Sequence, residues 1–140
     1  MTTKIRQRKQ CGADNLKPHA DQLKVLIFDK NAEDLVRHAQ PFEVRGFDVC
    51  KCLSIKTAMR CVEREDLDFA VVDQGSKAFE ALRVIKHLVR YNLHTPFVVL
   101  SDSEDPLCHE QALALGAVDY LEKPVSNVEM NSIIEKYFGS

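Results

Sequence analysis

Reactive side chains recur in this sequence at the points where short apolar runs end. In chain order they are Asp29, Lys30, Asp73, Ser101, Asp102 and Lys123. Carboxylates of this kind hold Mg²⁺ together with phosphate oxygens and water. A carboxylate can also attack a phosphoryl group and form an aspartyl phosphate, while a nearby ammonium and hydroxyl neutralise and hydrogen-bond the transferred group. If the fold brings these side chains together, the set is suited to phosphoryl chemistry.

The elements that must position them alternate between two periodicities. Apolar runs rich in β-branched and aromatic residues predict buried strands, and the segments between them carry helical spacing. The predicted strands cover 24–28, 47–53, 68–73, 96–101 and 118–122, and the predicted helices cover 31–46, 54–65, 78–92, 105–116 and 127–138. Ser54 is placed to cap the second helix, and Pro41 is expected to kink or shorten the first.

Five strand–helix units in succession predict an α/β fold with a doubly wound parallel sheet and helices on both faces. In such sheets the functional crevice lies beyond the carboxyl ends of the strands. We therefore expect the reactive side chains to converge on one edge.

Length and charge restrict the function classes. A chain of 140 residues suits one domain, which we predict over residues 23–140, after a polar, weakly basic tail over residues 1–22. The net charge of -2 does not favour nucleic-acid or membrane binding. The sequence shows no apolar run long enough to span a membrane and no signal peptide. A cytoplasmic protein is expected.

Five cysteines form an odd set, which argues against a disulfide framework. Cys50 and Cys52 form a C-x-C pair on a predicted strand, where they share one face. With no second cysteine pair and no histidine near them, we interpret them as half-buried strand residues rather than a zinc or redox site.

The segments "VLIFDKN", "FAVVDQ", "PFVVLSDS" and "GAVDYLEKPV" make residues 24–138 resemble the receiver domain of a two-component response regulator. The resemblance implies the flavodoxin-like (βα)5 fold with strand order 2-1-3-4-5. It implies that Asp73 is the phosphoacceptor, that Asp29 is one of the first-strand acids, and that Ser101 and Lys123 contact the phosphoryl group. Lys123 is followed by Pro124, to which the family usually joins it by a cis peptide.

The same resemblance implies a switch and its partners. Tyr120 stands where the family often has a switching aromatic residue. A sensor histidine kinase or phosphotransfer protein would supply the phosphoryl group. The face made by the fourth helix, fifth strand and fifth helix would then control a downstream output domain or protein, or a homodimer. The expected metal is Mg²⁺, held by Asp29, Asp73 and the backbone of Gly75. The domain is expected to signal rather than to act as an enzyme, beyond its own phosphorylation and dephosphorylation at Asp73.

Four features depart from the family pattern. Lys30 replaces the second of two adjacent acids, so it could pair with Asp73 and take the place of the cation. Asp102 replaces a small residue and would repel a phosphate donor unless it turns to solvent. The segment after Asp73 lacks the usual Met-Pro pair. Pro41 lies in the helix by which receivers commonly dock onto the phosphodonor.

Other functions remain as alternatives. A pseudo-receiver would bind partners without phosphorylation, using the Lys30–Asp73 contact. A flavodoxin-like binder of flavin or nucleotide would need a glycine- or hydroxyl-rich loop after the first strand, which "DKNAEDL" does not provide. A phosphatase would need a general acid two residues after Asp73, where the chain has Gly75. Direct nucleic-acid binding lacks a reading helix after Phe138.

Overall fold

The computed structural model describes residues 22–139, so the predicted tail lies almost wholly outside the described residues. Strands and helices alternate throughout this range. The strands are β1 (Lys24–Phe28), β2 (Asp48–Cys52), β3 (Phe69–Asp73), β4 (Phe97–Ser101) and β5 (Asp119–Glu122). The helices are α1 (Ala32–Glu43), α2 (Ile55–Arg64), α3 (Leu82–Tyr91), α4 (Pro106–Ala114) and α5 (Asn127–Phe138). Over the same range, no helix combines the length and apolarity needed to cross a membrane.

The strands form one parallel sheet in the order β2-β1-β3-β4-β5. The α/β class and the order 2-1-3-4-5 are therefore confirmed. Parallel pairing brings the carboxyl ends of β1, β3 and β4 to the same edge, because Phe28 is opposite Val72 and Asp73 is opposite Leu100.

Alternate residues of each central strand belong to two separate cores, as the period of two in a strand requires. Leu26, Val72 and Val99 pack with α2, α3 and α4 on one face. Ile27, Val71 and Leu100 pack with α1 and α5 on the other. Both faces of β3 and β4 are buried, which explains why their sequences are continuously apolar. The central strands are thus packed on both faces, and the polar residues lie at the carboxyl edge of the sheet.

Two helix boundaries differ from the prediction by three residues or more. Helix α1 continues through Pro41 and ends at Glu43, three residues earlier than expected. Helix α3 begins at Leu82 rather than at residue 78, because the segment before it forms turns in which Phe79 has a φ of 57°. Ser54 caps α2 as predicted and accepts a hydrogen bond from the backbone N–H of Thr57.

Candidate functional site

A cleft of about 380 Å³ opens at the carboxyl edge of the sheet. Its walls come from the ends of β1, β3 and β4, the start of α1, the loop after β3 and the end of β5. The residues lining it are Asp29, Lys30, Asn31, Asp34, Asp73, Gly75, Ser76, Glu80, Asp102 and Lys123. The structure therefore brings together most of the residues that the sequence singled out at the strand ends.

Lys123 is the central cation of the cleft. Its Nζ lies 2.9 Å from Asp29 Oδ2 and 3.2 Å from Asp73 Oδ1. It also donates a hydrogen bond to Asp34 Oδ2 at 3.3 Å. The lysine side chain is only 9% exposed, so one largely buried ammonium is shared by three carboxylates.

The predicted contact between Lys30 and Asp73 is wrong. Lys30 is exposed. Among residues 22–139, Lys123 is the residue that forms an ion pair with Asp73. The chain turns outward directly after β1, where the backbone N–H of Asn31 donates to Asp29 Oδ1 at 2.9 Å. Hydrogen bonds from Ser76 lower the pKa of Glu80 across the cleft, and the charge of Lys30 adds a smaller contribution in the same direction.

The two buried carboxylates have pKa values shifted in opposite directions. Burial raises the pKa of Asp73, the charge of Asp29 raises it further, and Lys123 and the Gly75 backbone N–H only partly oppose this. Burial also acts to raise the pKa of Asp29, but His38, Lys123 and the Asn31 N–H outweigh it and lower that pKa. Burial opposes the charge of Lys123, but the neighbouring carboxylates raise its pKa overall. Asp29 is therefore the more firmly ionised partner of Lys123.

Ser101 and Asp102 occupy different environments at the end of β4. Ser101 is buried, and its hydroxyl donates to the carbonyl of Ser103 rather than pointing toward Asp73. The Asp102 side chain is 80% exposed, with an oxygen 4.0 Å from Lys123 Nζ. The obstruction expected from Asp102 is thus relieved, because the carboxylate faces solvent.

Tyr120 is connected to the residue that follows Asp73. Its hydroxyl donates to Gln74 Oε1 at 2.5 Å, and its half-buried ring stacks on His109 with centroids 4.3 Å apart. Gln74 itself is buried. Gln74 was not among the predicted site residues, although its place directly after Asp73 is a usable signal. A hydrogen bond thus links the cleft to the α4 side of the sheet.

The loop after β3 is organised by Gly75 and Glu80. Gly75 has a φ of +88°, and a Cβ there would lie 2.3 Å from Glu80 Oε1. Glu80 accepts hydrogen bonds from the Ser76 N–H at 2.6 Å and from the Ser76 hydroxyl at 2.7 Å. These bonds to Ser76 lower the pKa of Glu80 to about 2. Gly75 is placed at the cleft as predicted, but its N–H rather than its carbonyl acts on Asp73.

Two further polar residues of α1 were missed. Asp34 sits in the first helical turn, where its N–H bonds to the Asn31 cap at 2.9 Å. Asn31 is a preferred N-cap residue and acidic residues are favoured in the first helical turn, which could have placed this carboxylate beside the end of β1. His38 is buried with Nδ1 3.6 Å from Asp29 Oδ2, and its spacing to Leu35 and Phe42 marks it as part of the buried helix face.

Comparison with known proteins decides the family. The family model described as "Response regulator receiver domain" matches residues 25–135. The chain belongs to this family. Receiver domains are signalling modules of two-component systems.

Two curated relatives are response regulators. The receiver is 27% identical over 112 residues to the alkaline phosphatase synthesis transcriptional regulatory protein PhoP of Bacillus subtilis, covering 80% of this chain and 47% of that protein. It is 32% identical over 107 residues to the response regulator SaeR of Staphylococcus aureus, covering 76% of this chain and 46% of that protein. The chain therefore spans about half the length of these relatives.

Solved structures share the fold. A CheY-like receiver domain protein from Methanospirillum hungatei matches with a TM-score of 0.76 at 18% identity, covering 82% of this chain and 92% of that one. A response regulator from Burkholderia pseudomallei matches with a TM-score of 0.72 at 24% identity, covering 83% of this chain and 66% of that one. It was solved with a phosphorylated aspartic acid, calcium ion and citrate.

The oxygen atoms in the cleft fit a divalent cation of the kind that this family uses. Asp29 Oδ2 and Asp73 Oδ1 are buried, and neither has an aligned hydrogen bond from the described residues. Their contacts with Lys123 are thus ion pairs that leave lone pairs available. Among the described residues, Lys123 is the one ammonium between Asp29 and Asp73. Asp34 is paired with Arg37 as well as with Lys123, and Lys30 does not stand between the carboxylates. Hard oxygen donors with excess negative charge suit Mg²⁺.

Proposed function

We propose that this receiver is phosphorylated on Asp73 and that the phosphoryl group controls protein–protein contacts. The observation that carries the proposal is the position of Asp73 Oδ1. This oxygen is buried at the cleft wall, has no aligned hydrogen bond from residues 22–139 and lies 3.2 Å from the Lys123 ammonium. The function rests on residues 23–140 as the receiver domain, with residues 1–22 as an N-terminal tail.

The chemical step is transfer of a phosphoryl group from a phosphohistidine to the Asp73 carboxylate. A carboxylate oxygen attacks phosphorus, the P–O bond forms as the P–N bond of the donor breaks, and the imidazole keeps the electron pair and takes a proton from water. Lys123 is within reach to neutralise a phosphoryl oxygen. Burial raises the pKa of Asp73, so the attacking carboxylate is less well solvated than an exposed one.

Mg²⁺ would be held by the carboxylates of Asp29 and Asp73 and by the backbone carbonyl of Gly75. When bound, the metal would supply positive charge to the phosphoryl oxygens. Asp34 is a further carboxylate at the same cleft, 3.3 Å from Lys123 Nζ. Arg37 also forms an ion pair with Asp34, so the Asp34 carboxylate offsets Lys30 only in part.

The switch would use Ser101 and Tyr120. In the structure described, the Ser101 hydroxyl is occupied by the Ser103 carbonyl. Phosphorylation would give this hydroxyl a stronger acceptor at Asp73 and free the loop after β4. Tyr120 is attached through Gln74 to the same strand end, so a shift of Asp73 and Gln74 would reach the ring.

The partner surface would be the α4–β5–α5 face. Exposed apolar residues lie on or beside it: Leu107, Leu113, Val118 and Val128. This face would contact an output domain, a separate output protein or a second copy of the chain, and a sensor histidine kinase or phosphotransfer protein would be the donor. Output through protein contacts is proposed rather than direct nucleic-acid binding by this chain.

Intact-mass measurement after incubation with Mg²⁺ and a small acyl phosphate tests the acceptor. The wild-type chain should gain one phosphoryl group, Asp73→Asn should gain none, and the control Asp102→Asn should be labelled like the wild type because Asp102 faces solvent. Equal labelling of Asp73→Asn would refute the assignment. No labelling of any chain, with partner binding intact, would favour the phosphorylation-independent pseudo-receiver.

A further inference from the structure

Three cysteine side chains meet between β2 and α2, away from the phosphoryl cleft. The Sγ atoms of Cys50, Cys52 and Cys61 all lie within 4.8 Å of one another. The Sγ atoms of Cys50 and Cys52 are 3.8 Å apart. Cys52 and Cys61 are buried, and Cys50 is half-buried. Among residues 22–139, this is the one group of three or more potential metal-ligating side chains whose donor atoms come this close together.

Local structure explains the convergence. Cys50 and Cys52 are two residues apart on β2, so both side chains point to the same face of the sheet. That face is covered by α2, where Cys61 lies on the buried stripe with Ala58 and Val62. Sequence spacing alone showed a C-x-C pair without a partner, and the fold supplies the third sulfur from nine residues farther along the chain.

We propose that Cys50, Cys52 and Cys61 form a three-thiolate site for a thiophilic d¹⁰ metal ion, Zn²⁺ or Cu⁺. Soft thiolate ligands select these ions among biological metals. With Zn–S bonds of about 2.3 Å, tetrahedral angles place two sulfur ligands about 3.8 Å apart. The Cys50–Cys52 separation already has this value, and Cys61 has to move by no more than about 1 Å. The open coordination position would be filled by water in the zinc form.

Zn²⁺ or Cu⁺ would bind these cysteines as thiolates, so metal binding would release the thiol protons to solvent. Cys50 is half-buried, whereas Cys52 and Cys61 are buried. The metal affinity of the site should therefore fall as the pH falls.

The site is chemically independent of the phosphoryl cleft. Its ligands are thiolates, whereas the cleft presents carboxylates and an ammonium. Its backbone is nevertheless adjacent, because the Asp29 N–H donates to the Cys52 carbonyl at 3.1 Å. Metal binding would fix β2 and α2 together beside the strand end that carries Asp29.

Titration of the reduced full chain with Co²⁺ as a spectroscopic probe, followed by Zn²⁺ and Cu⁺ against competing chelators, tests this site. With excess Mg²⁺ present to compete for the carboxylates of the cleft, we expect one thiolate-bound metal per chain, thiolate-to-cobalt charge-transfer absorption, and three sulfur neighbours by X-ray absorption spectroscopy. Replacing a ligand should cost at least the roughly tenfold loss of affinity that changes in the outer shell cause. Cys50→Ser and Cys61→Ser should therefore each weaken binding by that factor or more.

Cys108→Ser is the matched control, because Cys108 is also a buried free cysteine but contacts the Lys77 carbonyl instead of the cluster. It should bind metal like the wild type. Preference for Zn²⁺ or for Cu⁺ would assign the metal. Absence of binding to the reduced chain, or equal loss in Cys108→Ser, would overturn the proposal. Circular dichroism of Cys50→Ser, a substitution at a half-exposed position, separates loss of ligand from loss of fold.

Discussion

At the scale of single residues, the cleft depends on one ammonium shared by several carboxylates. Lys123 contacts Asp29, Asp34 and Asp73 within 3.3 Å. The desolvation of these charges is offset only while all partners are present, because an isolated buried charge is strongly unfavourable. The residue that we propose to contact the phosphoryl group is therefore also expected to stabilise the unphosphorylated state.

Replacing Lys123 by methionine should destabilise the protein. Loss of the ammonium leaves Asp29 and Asp73 buried side by side without a cation, at a cost of about 3 kcal/mol. Urea denaturation measures this free energy of unfolding. Lys51→Met is the control, because the Lys51–Glu43 ion pair at 2.8 Å joins exposed side chains and should be worth less than about 1 kcal/mol. Equal effects of the two substitutions would contradict the central role of Lys123.

Residue positions were predictable from the sequence where a strand ends, but side-chain directions were not. Asp29, Asp73 and Lys123 were expected at one edge, and the structure places them there. Lys30 was expected to point inward because it replaces an acid. Its direction is set by the backbone turn from Asp29 to Asn31, which the residue types do not determine. Asp34 and His38 were not predicted as site residues, because the first helix was identified from the spacing of its apolar residues alone.

At the scale of elements, the loop between β3 and α3 needs a left-handed residue beside the proposed acceptor. Gly75 has a φ of +88°, and any Cβ there would meet Glu80. The loop was predicted to be helical from residue 78, whereas the helix starts at Leu82. Periodicity cannot reveal turn conformations such as that of Phe79. By contrast, strands such as β1 and helices such as the Ser54-capped α2 followed from apolar runs and caps.

Gly75→Ala should cost more stability than Gly46→Ala. Both glycines have nearly the same positive φ, but a Cβ at Gly46 has nothing within 4 Å. Gly46→Ala therefore reports the conformational cost alone, about 1–2 kcal/mol, and Gly75→Ala adds the displacement of Glu80. Thermal unfolding of the two variants measures the difference. Equal midpoints would show that Glu80 moves aside freely and does not organise the loop.

At the scale of the whole molecule, stability should depend on pH through Asp29 and Asp73, because folding shifts their pKa values in opposite directions. The pKa of Asp29 is lowered by folding, so its contribution is present above its ordinary value of 3.8 and is lost as pH falls through the folded pKa. The pKa of Asp73 is raised, so its ionisation weakens the fold as pH rises from 3.8 to the folded pKa.

Free energies of unfolding measured across this range should separate the two groups. Asp29→Asn should reduce the loss of stability below pH 3.8, because the variant lacks the carboxylate that folding prefers to keep ionised. Asp73→Asn should remove the decline in stability that the wild type shows as the pH rises above 3.8. Identical pH profiles for the wild type and Asp73→Asn would contradict the raised pKa of Asp73.

The central claim is that the cleft binds Mg²⁺ and a phosphoryl group although Lys30 replaces an acid. The NMR response to Mg²⁺ and then to beryllofluoride tests this claim most directly. We expect Mg²⁺ to shift the backbone signals of Asp29, Asp73 and Gly75, and beryllofluoride to extend the shifts to Ser101 and Tyr120. Asp73→Asn should abolish the second response. Because Lys30 is exposed, Lys30→Ala should strengthen Mg²⁺ binding by less than about fivefold. No response in the wild-type chain, with binding gained only in Lys30→Ala, would contradict the account and assign the cation's place to Lys30.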